Sequence, residues 1–107
     1  MLTMKTVAYE FLLSDADRKR HVHKTDRGKV ISFTVQFEPL VNDKWLPVVR
    51  YDTAHGYAHK DILHPNGHKE KIDLGSLTLK EALVLADRNI NENWPRYKQR
   101  FIKEYGK

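Results

Sequence analysis

The hydrophobic period changes once along the 107 residues, at Thr78. Before it, the clearest segments place apolar side chains at every second position; after it, they recur at every third or fourth. Period 2 sends alternate side chains to opposite faces of a strand, and period 3.6 gathers them into one stripe on a helix. Strands first and helices last specify an α+β fold, an antiparallel sheet with helices packed on one face. The reading predicts four to five strands in hairpins or a meander, followed by C-terminal helices. Residues 1–75 are expected to be mainly β and 76–107 mainly α, within a single domain spanning 1–107, about the length of one ordinary domain.

Val30 to Glu38 is the sharpest strand, with Ile31, Phe33, Val35 and Phe37 on one face and Ser32, Thr34, Gln36 and Glu38 on the other. An earlier strand, Lys5 to Leu13, alternates more weakly. Ser14 to Lys29 is polar and reads as a loop or long hairpin arm. Pro39 to Lys44 is a turn region, and Trp45 to Asp52 a strand in which Pro47 demands an edge or a bulge. Pairing that brings Phe37 opposite Trp45, Phe33 opposite Val49 and Ile31 opposite Tyr51 unites the large apolar groups. Pro65-Asn66-Gly67 joins strands 57–64 and 68–74. Thr78-Leu79-Lys80-Glu81 is a capping box. Leu79, Ala82, Leu83, Ala86 and Ile90 follow at helical spacing. Pro95 is expected to end or kink that helix near Asn93, with Trp94, Tyr97, Phe101 and Tyr105 striping a second one. The expected core is Ile31, Phe33, Val35, Phe37, Trp45, Val49, Leu83, Ala86 and Ile90.

The absence of cysteine rules out disulfides, thiolate metal sites and a cysteine nucleophile. No apolar run reaches bilayer-spanning length, and the first residues lack the pattern of a signal peptide, so a cytoplasmic protein away from membranes is expected. Charge is concentrated. Arg18, Lys19, Arg20, Lys24, Arg27 and Lys29 stand against one acid, Asp26, within twelve residues. Arg96, Lys98, Arg100, Lys103 and Lys107 stand against Glu104 near the C-terminus. Such a field suits a polyanion, because phosphate contacts release condensed counterions.

The densest group of reactive side chains is Arg50-Tyr51-Asp52-Thr53-Ala54-His55-Gly56, where a strand runs into a glycine-containing loop. Arg50 and Asp52 share a strand face, and His55 lies just past it. A guanidinium, a carboxylate and an imidazole in one patch suit phosphate binding and proton transfer; the simpler reading is a surface ion pair beside a turn. His55, His59, His64 and His68 fall within fourteen residues. No HExxH motif occurs, and no Cys or Asp joins them at ligand spacing, so no metal is expected. Phosphate-loop and dinucleotide fingerprints are absent, so no cofactor is expected either. Tyr57 is the best candidate for an exposed ring that stacks on a base.

The Arg50–Gly56 stretch resembles a family of small prokaryotic proteins with a Tyr-Asp-x-Ala-His-Gly core. It is more distantly similar to the TumE-type proteins of toxin–antitoxin systems. The resemblance covers Val48 to Leu74 and departs in the spread of its later histidines. It implies a small cytoplasmic protein that acts on RNA and is held by a cognate protein partner. The expected function is therefore RNA binding or cleavage by a metal-independent, toxin-like ribonuclease. Arg50, Asp52 and His55 would be catalytic, with Arg18, Lys19, Arg20, Lys24, Arg27, Tyr57 and His59 contacting nucleic acid. The alternative is a non-catalytic protein-interaction module. The functional patch is expected on the sheet face carrying Arg50 and Asp52, extended by His55, His59 and the Arg18 to Lys29 segment.

Overall fold

A computed structural model of the chain describes residues 3–54 and 56–106. The described residues form β1 (Met4–Ser14), β2 (Asp17–Asp26), β3 (Lys29–Val41), β4 (Lys44–Trp45), β5 (Val49–Asp52), β6 (His59–Leu63), β7 (Lys69–Asp73) and α1 (Leu79–Tyr105). One antiparallel sheet runs in the order β1-β2-β3-β5-β6-β7, with β4 paired to the end of β3. The α+β class stands, but with seven strands rather than four or five and one helix rather than several.

The largest correction is β2, which occupies most of the expected loop. It is a full strand paired on both sides, to β1 and to β3. Its inward positions are Asp17, Lys19 and His21, all buried. Their alternation is real but polar, so a hydropathy pattern cannot register it. They can be buried because α1 supplies partners. Lys19 Nζ donates to Asp87 and Asn91, each at 2.9 Å, and Lys98 Nζ donates to Asp17 Oδ2 at 2.9 Å.

Two tight hairpins set the register. Asp26 pairs with Lys29 around Arg27 (φ 53°) and Gly28 (φ 78°), and Val41 pairs with Lys44 around Asn42 (φ 51°) and Asp43 (φ 64°). Positive φ at both central residues is the requirement of a two-residue type I′ loop, and Gly, Asn and Asp tolerate it best. The second turn is therefore shorter than expected, and β3 continues through a buried Pro39. This moves the partners along: Val35 meets Tyr51 and Phe37 meets Val49, instead of Ile31 meeting Tyr51 and Phe33 meeting Val49. The slip is an even number of residues, so Val35, Phe37, Val49 and Tyr51 keep their face. Pro47 lies in a one-residue bulge between Leu46 N–H, bonded to Pro39 O, and Val48 N–H, bonded to Phe37 O.

Phe33, Val35 and Phe37 of β3 join Val48, Val49, Tyr51 and Ala58, and α1 closes over them with Ala82, Ala86, Ile90 and Phe101. Three expected core members lie elsewhere. Ile31 is the extra residue of a β3 bulge, since Lys24 pairs with Ser32 and Thr25 with Val30; it is 38% exposed. Trp45 sits outside, beneath the Arg18 guanidinium at 4.4 Å. Leu83 packs only at the margin. The helix also passes through Pro95 without ending near Asn93. A proline there removes one amide donor, yet Ile90, Trp94 and Phe101 keep the helix on the sheet from both sides of it.

His64 ties the β6–β7 hairpin to the end of α1. Its Nδ1 is 2.7 Å from Glu104 Oε2 and its Nε2 is 2.5 Å from Glu70 Oε2. The Glu104 bond first, then the Glu70 bond, raise this imidazole above its ordinary value of 6.5, while His64 holds Glu70 below 4.5. A raised histidine stabilises the fold fully below pH 6.5, and that contribution disappears as pH climbs through the folded value. The lowered Glu70 contributes above pH 4.5 and fails as pH falls through its own folded value. The melting-temperature gap between parent and His64→Gln should thus be widest at about pH 5–6 and shrink toward about pH 9. A gap constant across that range would contradict the bridge.

Candidate functional site

The sheet face turned away from α1 is polar, and cross-strand pairing orders it into rows. Arg20, Gln36, Arg50 and Asp61 lie side by side in one, and Val22, Thr34, Asp52 and His59 in the next. Directly opposed residues in an antiparallel pair have Cβ atoms about 5 Å apart, so each row is a line of potential contacts.

The second row and its neighbour hold the most unusual chemistry. His59 Nε2 donates to Asp52 Oδ1 at 2.7 Å and lies 3.7 Å from Asp61 Oδ2. Asp52 Oδ1 also accepts the Ala54 N–H at 3.1 Å, which folds the following loop back over the strand end. His59 and Asp61 are each 2% exposed, and Asp52 is half-buried. One oxygen from each carboxylate and one ring nitrogen lie within 4.8 Å of one another. The geometry is dictated by alternation. Residues i and i+2 share a face, so His59 and Asp61 of β6 face the same way as Asp52 on the adjoining strand.

The expected catalytic trio is not assembled among the described residues. Arg50 is on the correct face, but its Nε donates to Gln36 Oε1 at 2.6 Å, and Gln36 in turn donates to Glu38. Asp52 partners His59 rather than Arg50. His55 lies outside the described residues. His64 and His68 approach each other at 5.5 Å across their turn, and His64 is bound to its two glutamates.

The expected nucleic-acid contacts divide three ways. Arg18 and Arg20 are neutralised: Arg18 Nε is 2.6 Å from the buried Glu38, and both guanidiniums reach Glu10 at 3.6 Å. Lys19 is a correction, because it points to the opposite face and is buried against α1. His59 is also a correction, since a ring 2% exposed belongs to the centre and offers no stacking surface. Lys24, Arg27 and Tyr57 remain at the surface.

Those three line two neighbouring hollows. The larger, about 610 Å³, is bounded by Arg27, Lys29, Tyr57, Thr78 and Lys80 at the start of α1. The smaller, about 300 Å³, is bounded by Lys24, Ser32, Thr34, Asp52 and Thr53. Thr53 and Ala54 wall the smaller, and Gly56 and Tyr57 the larger. Gly56 has φ +82°, a conformation few other residues adopt without strain. Sequence reasoning missed Asp61 and Lys80 as site residues, and held Lys29 only as the end of its basic segment. Asp61 had a usable signal, because His59-x-Asp61 repeats the i, i+2 spacing of Arg50-x-Asp52. Lys80 had none, since only the chain's return brings α1 beside the β2–β3 turn.

No helix among the described residues is long and apolar enough to cross a membrane. No curated protein and no solved structure matches the chain. A family model described as a domain of unknown function, DUF7718, matches residues 4–107, and the chain belongs to that family.

Proposed function

We propose that the chain binds single-stranded RNA across the two hollows, with a base in the larger and the backbone passing Lys24 at the smaller. The observation that carries this reading is the joint lining of the two hollows. Lys24, Arg27, Lys29 and Lys80 border them together, and Asp52 is the one acid among their described lining residues. Four exposed cations with one carboxylate make a positive path, unlike the rest of β2, where Arg18 and Arg20 already hold acids. Tyr57, 38% exposed, supplies an aromatic face at the larger hollow. A base stacked on such a ring contributes about 1–3 kcal/mol with little sequence preference. A volume near 600 Å³ lies within the range of small-molecule sites and accommodates a nucleoside. Phosphate is favoured further by the positive end of α1 beside Thr78.

Binding of a fluorescent oligoribonucleotide at several salt concentrations tests the reading. Parent affinity should fall on a log–log plot with a slope near −0.7 per phosphate contact. Arg27→Glu with Lys80→Glu should weaken binding and flatten that slope, whereas Tyr57→Ala should weaken binding and leave the slope unchanged. A parent that binds no RNA at low salt overturns the proposal and leaves the interaction-module reading in its place.

A further inference from the structure

We propose that Asp52, His59 and Asp61 form a binding site for a divalent first-row transition-metal cation. This inference stands apart from the RNA reading and needs no nucleic acid to test it. It begins with a charge imbalance. Two carboxylates and one imidazole share a pocket whose ligand-capable atoms lie within 4.8 Å of one another. His59 serves Asp52 at 2.7 Å, but its distance to Asp61, 3.7 Å, is too long for a hydrogen bond.

Asp61 provides the second, independent observation. The residue is 2% exposed, and its Oδ1 has no hydrogen-bond partner. Its cross-strand neighbour Arg50 has turned to Gln36, and no ion pair within 4.0 Å joins Arg50 to Asp61 among the described residues. A buried carboxylate without a cation or donors is costly, and native folds rarely leave one so. Asp17 shows the contrast. It is equally buried and also has one unpartnered oxygen, but Lys98 and Ser14 meet its other oxygen at 2.9 and 2.5 Å. Asp61 has no such hydrogen bond among the described residues, only the His59 ring at 3.7 Å. A cation placed between the three side chains would satisfy it.

The ligand set restricts the cation. Donor atoms at about 2.1 Å from one ion lie at most about 4.2 Å apart, so the observed cluster needs only slight closure. Imidazole suits Zn²⁺ and Fe²⁺ and carboxylate suits Mn²⁺, so two carboxylates with one imidazole fit a cation of this group. Calcium prefers six to eight oxygens and finds too few here. Both strands are rigidly paired at these positions, so the ligands are fixed before binding. Binding through His59 Nε2 takes the neutral tautomer that carries its proton on Nδ1, so the ring's proton moves from Nε2 to Nδ1 and no other bond changes.

The test uses chelator-treated full chain and Mn²⁺ alone as the probe, with the free ion counted by electron paramagnetic resonance. The parent should take up one equivalent, and its melting temperature should rise with Mn²⁺ concentration. Asp61→Asn should keep the fold, removing a buried charge, yet bind at least about 100-fold more weakly, beyond the effect typical of losing an outer-sphere partner. Asp52→Asn serves as the second variant should Asn at 61 disturb β6. No uptake by the parent at millimolar Mn²⁺, or uptake unchanged in both variants, overturns the site. Displacement of Mn²⁺ by an equal concentration of Ca²⁺ overturns the cation class.

Discussion

Phe37→Ala is expected to destabilise the protein by about 3–5 kcal/mol, the range for emptying a buried aromatic position. Phe37 is fully buried at the centre of β3, opposite Val49 on one side and Lys19 on the other. Its ring lies 5.9 Å from Trp94 of α1. Truncation would therefore open a void between sheet and helix. Neighbours could not close it, because both strands beside Phe37 are held by their ladders. Denaturant unfolding followed by far-ultraviolet dichroism measures the effect. A midpoint within experimental error of the parent would show that the helix does not close the core on this strand.

Lys98→Met should cost about 2–3 kcal/mol, because it strands a buried carboxylate. Asp17 is 1% exposed, and Lys98 is its only charged partner among the described ion pairs. The reverse substitution, Asp17→Asn, should cost less, since Lys98 can turn its amine to solvent. Combining the two should recover part of the loss, giving a coupling of about 0.5–3 kcal/mol in a double-mutant cycle. Additive losses would mean that the pair carries no mutual stabilisation.

The buried Asp17–Lys98 pair also shows what sequence patterning can and cannot convey. The strands around Phe33–Phe37 and Val49–Tyr51, the β6–β7 hairpin, the Thr78 capping box and the bulge at Pro47 were legible because each has a local chemical cause. Strand β2 was not, because its inward residues are an acid, a lysine and a histidine whose ion-pair partners lie 66 to 81 residues away on α1. Nothing near Lys19 in the sequence distinguishes it from Arg18 or Arg20, yet one is buried against α1 and the others pair with Glu10 and Glu38 on the opposite face. The continuous helix was hidden similarly: Pro95 is a local signal for a break, and packing across the whole sheet overrides it.

For the site, the sequence located the segment and misassigned the partners. Arg50-x-Asp52 was correctly placed on the polar face, and Arg27 and Tyr57 at an exposed rim. Sequence spacing grouped His59 with His55, His64 and His68 as candidate metal ligands and found no Asp at ligand spacing. Antiparallel register instead delivers Asp52 and Asp61 to His59, one from the neighbouring strand and one two residues away. Cross-strand geometry is set by turns and bulges, and the bulge at Pro47 is part of what fixes it.

The order of the sheet has a consequence for how the chain is made. Apart from β4, every strand pairs with those nearest it in the chain, so each hairpin has its partner available as soon as it is synthesised. Helix α1, which supplies Ala82, Ala86, Ile90 and Phe101 to the core, emerges last. Until then Val35, Phe37, Val49 and Tyr51 line a bare apolar wall, and Lys19 and Asp17 lack their counter-charges. A nascent sheet can thus be in register while still unprotected. Emergence of α1, rather than completion of strand pairing, is the step that covers this wall.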